Sequence, residues 1–129
     1  MIYINRIFAA AQGSSIKSIT PEKLAPILAY IDENLENDLS LEAIGNRFFL
    51  NRFYLSKLFR KSTGSNLHEY IIYKRVSKAR RLLSEGHSVT DTAALCGFND
   101  YSNFLRMFKK SVGITPGQYR KNSRGLDEA

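Results

Sequence analysis

Side chains able to do covalent or metal chemistry are sparse in this sequence, which holds one cysteine, Cys96, and two histidines, His68 and His87. Their separations do not match the short intervals by which His and Cys close a zinc site, and a single thiol cannot pair within the chain. Cys96 stands beside Gly97-Phe98 and reads as a small buried filler rather than a redox or metal group. His68 and His87 read as surface residues, with a phosphate contact the alternative at His87. No nucleophile stands with its base, and there is no paired-carboxylate site or phosphate loop. The reading is of a protein that is not an enzyme, with no cofactor and no metal.

What these residues can do is bind. Lys and Arg number 19 against 12 Asp and Glu, a net charge of +7, which favours a polyanionic partner. The charge is also segregated. From Glu22 to Glu42 there are six acidic residues and one basic residue, Lys23. From Arg47 to Arg81 ten basic residues face the lone Glu69, and from Arg106 to Arg124 six more occur with no acid. Two basic blocks suit phosphates, unless they are only solvated helical surface.

The 129 residues fit one ordinary domain or two very small ones. With 43% hydrophobic and 24% charged residues, the chain has enough apolar surface to offset the entropy of ordering it. No run approaches the roughly 18 apolar residues of a membrane span. Asn5 and Arg6 interrupt the apolar start from Met1 to Gln12, so it does not read as a signal peptide. The lone cysteine fits a reducing compartment. Together these predict a cytoplasmic protein that does not engage a membrane.

The elements that must position the basic residues are helices throughout. Leu24, Ile27, Leu28, Ile31 and Leu35 form one buried stripe, started by Thr20-Pro21. A short helix runs from Ser40 to about Arg47. Asn51 caps a third, from Arg52 to about Ser62, with Leu55, Leu58 and Phe59 inward and Gly64 at its left-handed end. Asn66 and Glu69 are spaced as a capping box for a long helix to about Ser84, with Ile72, Val76, Ala79 and Leu83 as its stripe. Ser88 with Asp91 opens a fifth helix to about Leu95, Asn99 or Asp100 a sixth to about Ser111, and Thr115-Pro116 a short seventh. The fold class is all-α, about seven helices.

The chain also repeats itself. Leu58-Phe59-Arg60-Lys61-Ser62-Thr63-Gly64 matches Met107-Phe108-Lys109-Lys110-Ser111-Val112-Gly113 at a spacing of 49, as Leu55 matches Phe104 and Tyr70 matches Tyr119. Earlier the spacing is 48, pairing Gly45 with Ala93 and Leu50 with Phe98. Each copy is a short helix, a tight turn and a second helix with a basic outer face, the pattern of a helix-turn-helix. Gly45 or Ala93 lets the second helix cross closely, and Leu50 or Phe98 plugs the gap. The outer face of the first copy carries Arg52, Phe53, Ser56, Lys57 and Arg60. That of the second carries Tyr101, Ser102, Leu105, Arg106 and Lys109, with Asn103 near the edge. Tyr70 and Tyr119 read as core aromatics with a wet hydroxyl. Arg and Lys can donate to guanine or phosphate, Ser and Asn to base edges, and aromatics can meet thymine methyls.

Ala93-Ala94-Leu95-Cys96-Gly97-Phe98, Phe104-Leu105-Arg106-Met107-Phe108-Lys109-Lys110 and Gly113-Ile114-Thr115-Pro116-Gly117-Gln118-Tyr119-Arg120 together resemble the AraC/XylS-type signature. The first copy, including Tyr54-Leu55-Ser56-Lys57-Leu58-Phe59-Arg60-Lys61, is similar to that family's more variable half, and Arg75, Ala79, Arg80 and Leu82-Leu83 fit its linker helix. The resemblance spans about Leu24 to Lys121. It implies two helix-turn-helix subdomains of homeodomain-like kind joined by a long helix, in a bacterial transcription regulator that binds double-stranded DNA. By family position the base-facing residues are Phe53, Ser56 and Lys57, then Tyr101, Ser102, Asn103 and Arg106, with Arg52 beside the first set. Arg60, Lys61, Lys109 and Lys110 fall to phosphates. RNA polymerase is an implied partner, and a small-molecule effector is expected only if a sensor domain accompanies the chain.

The expected organisation is a linker or remnant of a preceding helix over 1–19, the DNA-binding domain over 20–122 and a flexible tail over 123–129. Within the domain the first helix-turn-helix spans about 40–62, the linker helix about 67–84 and the second about 88–111. Three positions depart from the family pattern. Gly45 replaces the usual alanine, which should weaken its helix by up to about 1 kcal/mol. Phe49 stands where the second copy has Gly97, so the first turn is expected to differ in backbone conformation. Leu105 occupies a face where polar residues are common. Two other functions fit the same residues, a helical module docking an acidic partner and the DNA-targeting module of a repair enzyme.

Overall fold

A buried helix stripe needs a start, a stop and a partner face, and the computed structural model of the chain shows how the sequence meets these needs. The structure describes residues 21–128, with side chains described from 24 to 123. The expectations for 1–19 and for Thr20 as a cap lie outside the described residues. Those residues form seven helices and no strand: α1 (Pro21–Glu33), α2 (Leu41–Phe48), α3 (Arg52–Thr63), α4 (Leu67–Ser84), α5 (Val89–Leu95), α6 (Tyr101–Val112) and α7 (Pro116–Glu128). They divide into two compact units, one ending at Ile71 and the other beginning at Ile72.

The first unit is built around α1, α2, α3 and the start of α4. Leu24, Ile27, Ile31, Ile44, Leu55 and Phe59 are fully buried, and Tyr70 closes the cluster edge-on to Phe59, with ring centroids 5.1 Å apart. Burial pushes the Tyr70 phenol up to about 12, with the nearby Asp32 charge adding to the shift. Leu35 is buried as the stripe requires, but α1 stops at Glu33. The Asn34 side-chain amide takes the Tyr30 carbonyl at 2.8 Å, and the Asn34 backbone N–H turns to Ile31 instead at 3.2 Å. That exchange tightens the last turn and ends the helix.

In the second unit α5, α6 and α7 pack with the later part of α4. Ala79, Leu83, Cys96, Phe104 and Phe108 are fully buried there. Tyr119 lies edge-on to Phe108 at 5.6 Å, repeating the Phe59–Tyr70 contact of the first unit. Cys96 is the small buried filler that its neighbours in the sequence indicate, and burial pushes its thiol up to about 11. Arg120 of α7 donates to the carbonyls of His87 at 2.9 Å and Gly86 at 3.1 Å, holding the turn after α4.

The seventh helix is longer than its sequence suggests. Thr115 Oγ1 accepts from the Gln118 N–H and Gln118 Oε1 accepts from the Thr115 N–H, both at 3.1 Å. A helix nucleated by such a reciprocal cap propagates at one bond per added residue. It continues to Glu128, through most of the segment expected to be a tail.

The two turns differ, as the substitution leads one to expect, but they share two features. Phe49 has φ 58° and ψ 41°, a left-handed conformation, and its counterpart Gly97 has φ 100°. In both copies the next residue bonds back to the small residue of the preceding helix, Leu50 N–H to the Gly45 carbonyl at 2.8 Å and Phe98 N–H to the Ala93 carbonyl at 3.1 Å. Both turns therefore have positive φ and the same closing bond, and the first adopts it with an aromatic residue where glycine is the unstrained choice.

Candidate nucleic-acid interface

The interface begins with what fixes the outward faces of α3 and α6. Asn51 Oδ1 accepts from the backbone N–H of Phe53 at 2.8 Å and of Tyr54 at 3.4 Å, setting the first turn of α3. Asp100 does the same for α6 through the Ser102 N–H at 3.0 Å. Leu55, Leu58 and Phe59 then lock α3 by its inner side, and Phe104 and Phe108 lock α6. Only one face of each helix is left to solvent.

On α3 that face exposes Arg52, Phe53, Lys57, Arg60 and Lys61, with Ser56 half-buried. Phe53 is 68% exposed, an unusual state for a phenylalanine, and the Arg52 guanidinium lies 5.0 Å above its ring. On α6 the face exposes Tyr101, Ser102, Arg106, Lys109 and Lys110, with Asn103 half-buried. Each sequence-predicted site residue is thus exposed or partly exposed, and the two sets fall on the outer sides of two repeat-equivalent helices. Leu105 is different. It is half-buried and packs against the second core, so it belongs to the flank of α6 rather than to its open face.

Two kinds of feature escaped the sequence reading, exposed surface around the first turn and one contact on α6. Phe49 is 94% exposed at the turn leading into α3, and Tyr54 is 41% exposed. Beside Phe53 a surface depression of about 330 Å³ opens between α2 and α3, lined by residues that include Glu42, Asn46, Asn51 and Arg52. The phenylalanine standing where the second copy has Gly97 was the available signal for the first. Helical period does not separate the flank position of Tyr54 from an inward one. The second missed feature is a contact: Arg106 Nη2 donates to Asn103 Oδ1 at 2.7 Å.

The histidines add no second centre. Both are exposed, and His87 Nε2 lies 4.0 Å from a Glu85 carboxylate oxygen. Tyr119 is held by Arg80, whose Nε donates to the phenol oxygen at 3.4 Å, and that bond lowers the phenol's pKa against a smaller opposing effect of burial. Among the described residues no helix is long and apolar enough to cross a membrane.

Two helix-turn-helix units, each presenting a capped helix with an open cationic face, define a protein built to meet a polyanion. A family model described as a helix-turn-helix domain matches residues 44–122. AarP of Providencia stuartii, an HTH-type transcriptional activator, is 33% identical over 106 residues, covering 81% of this chain and 78% of that protein. The uncharacterized HTH-type regulator YtdP of Bacillus subtilis is 37% identical over 101 residues, 78% of this chain but 13% of that protein. The crystal structure of the DNA-binding domain of AdpA, a global transcriptional factor in complex with a target DNA, superposes with a TM-score of 0.76 at 31% identity, covering 80% of this chain and 94% of that one. The chain belongs to the AraC/XylS-type family of helix-turn-helix transcription regulators. It spans between 13% and 35% of the length of the first three curated relatives.

Proposed function

We propose that this chain reads a specific duplex DNA site with two chemically unlike faces and so directs a bacterial transcription regulator to its target. Base edges are met by Phe53, Ser56 and Lys57, with Arg52 beside them, and by Tyr101, Ser102 and Arg106, with Asn103 at the edge. Arg60, Lys61, Lys109 and Lys110 take phosphates, which hold the helices in register. The observation that carries this reading is the recurrence, on both units, of an exposed cationic face on a helix whose other side is locked into a core. The faces differ: Arg52 and Phe53 in one correspond to Tyr101 and Ser102 in the other, so the site is asymmetric in sequence. The chain performs no catalysis and acts in the cytoplasm as an activator, with RNA polymerase as its protein partner. A small-molecule effector enters this reading only if a sensor domain accompanies the chain.

Selection of bound duplexes from a random library tests this. The expected result is one enriched asymmetric motif. Arg106→Ala should then cost roughly 1–3 kcal/mol and relax one or two base pairs, because a bidentate guanine contact carries that much discrimination. Lys110→Ala should weaken all sequences to a similar, smaller degree. Absence of enrichment, or binding to an unrelated acidic protein as tight as to duplex DNA, would favour a module that docks acidic partners.

A further inference from the structure

Arg106 is the one arginine on the outer face of α6, and its guanidinium has a partner on the same helix. Its Nη2 donates to Asn103 Oδ1 at 2.7 Å, three residues back along the same helix. That distance is at the short, charge-assisted end of hydrogen-bond lengths. Asn103 is half-buried while Arg106 is exposed, so the amide is the fixed end of the pair and the guanidinium the presented end. A guanidinium has five N–H donors, and this contact uses one. The rest can still form the two parallel bonds that guanine O6 and N7 accept. For Asn103 the outcome is the opposite. Reading adenine requires its oxygen to accept from N6 while its nitrogen donates to N7; the oxygen keeps a second lone pair, but the bond to Arg106 turns the amide toward its own helix neighbour and orients it for the guanidinium.

We infer that Asn103 is a positioning residue that holds the Arg106 guanidinium in its reading orientation, rather than a base reader in its own right. This rests on the proposal that the outer face of α6 meets base edges. The first unit has no counterpart, because the repeat-equivalent positions of α3 are Tyr54 and Lys57. A phenol and an ammonium cannot form the planar amide–guanidinium pair, and Lys acts as a point charge on a flexible stem. Orientation of a reading cation by an amide is therefore confined to the second unit.

The test combines DNA binding with a measurement on the protein alone. Discrimination is the affinity ratio between the selected duplex and a duplex altered at the base pair that Arg106→Ala relaxes. Asn103→Ala should lower that ratio roughly two- to twelvefold, the span of a typical net hydrogen-bond contribution. It should have no further effect in an Arg106→Ala background. Asn103→Asp keeps the acceptor oxygen and should preserve the ratio, even if its charge weakens binding to every duplex. If Asn103→Ala relaxes a different base pair, or adds fully to Arg106→Ala, then Asn103 reads DNA itself and the inference fails. In the free protein, nitrogen-15 spectra of the arginine side chains should show slow rotation of the Arg106 guanidinium, lost in Asn103→Ala and kept in Asn103→Asp. Equal, fast rotation in all three proteins overturns positioning. Slow rotation together with Arg106→Ala losing no discrimination at any base pair leaves the contact real and overturns the reading face.

Discussion

A methyl group added at position 45 would lie 2.6 Å from the Leu50 carbonyl oxygen, backbone that cannot turn aside. Alanine is the better helix former by up to about 1 kcal/mol, so propensity and packing predict opposite signs for Gly45→Ala. Overpacking against backbone costs about 1–3 kcal/mol, and packing should win: urea denaturation of Gly45→Ala is expected to show a net loss of stability. A gain would mean that the turn relaxes without strain. The sequence registered glycine here both as a weakness of α2 and as the small residue over which α3 crosses closely. It could not show that the atom approaching the glycine is the Leu50 carbonyl oxygen, because that oxygen reaches it only through the folded turn. The same limit applies to Phe49, whose left-handed backbone and open side chain depend on the turn geometry rather than on residue type.

Cys96 belongs to the same scale. Burial opposes the thiolate, and the Lys78 and Arg75 charges only partly offset it, leaving the thiol raised from 9.0 to about 11. Since the thiolate is the nucleophile, a disulfide reagent at pH 8 should modify Cys96 slowly in the native protein and rapidly in urea. The folded state holds this proton more tightly than the unfolded state. The contribution to stability is therefore fully present below pH 9 and is lost as pH rises through about 11. Rapid native-state modification at pH 8 would contradict the burial.

At the scale of the element, capping was the most legible feature. Ser40, Asn51, Ser88 and Asp100 each cap the helix that follows, and Asn66 with Glu69 forms the reciprocal box at the start of α4, with bonds of 2.8 and 3.2 Å. Such side chains favour the cap because they satisfy N–H groups that have no partner inside the helix. Asn51→Ala should cost about 1 kcal/mol in thermal or chemical unfolding, and Asn51→Gly only a few tenths by the same rule. Equal losses in the two variants would show that the side chain does more than cap. Helix ends were less legible. The Asn34 amide ends α1 before Leu35, although the apolar stripe runs on, and the Thr115–Gln118 box that starts α7 was in the sequence but was read only as Thr-Pro. Inward and outward faces were readable from period alone for Leu55, Phe59, Phe104 and Phe108. The Asn103–Arg106 bond was not, because a three-residue spacing says that two side chains can meet but not that they do.

At the scale of the molecule the question is how a net charge of +7 is used, since the chain keeps its acids and bases apart. In the first unit Asp32, Glu33, Glu36, Asp38 and Glu42 precede α3 and are exposed, whereas the accessible face of α3 carries Arg52, Lys57, Arg60 and Lys61. The second unit has the same arrangement of cations on α6, with Arg106, Lys109 and Lys110. A diffuse charge would attract any polyanion with little dependence on which lysine is removed. A segregated one makes a countable set of phosphate contacts, and each contact releases condensed counterions on binding. If six to eight basic residues meet phosphates, log K should fall against log salt with a slope of about −5 to −7. Lys110→Ala should flatten that slope by about 1 while leaving sequence preference intact. Arg106→Ala should change preference more than slope if its guanidinium faces a base. Measuring binding of the same three proteins across a salt series separates the alternatives. A flat salt response in the parent chain would exclude the phosphate contacts altogether. Equal flattening by both substitutions would place Arg106 on the backbone with Lys110, and the second unit would then grip DNA without reading it through that residue.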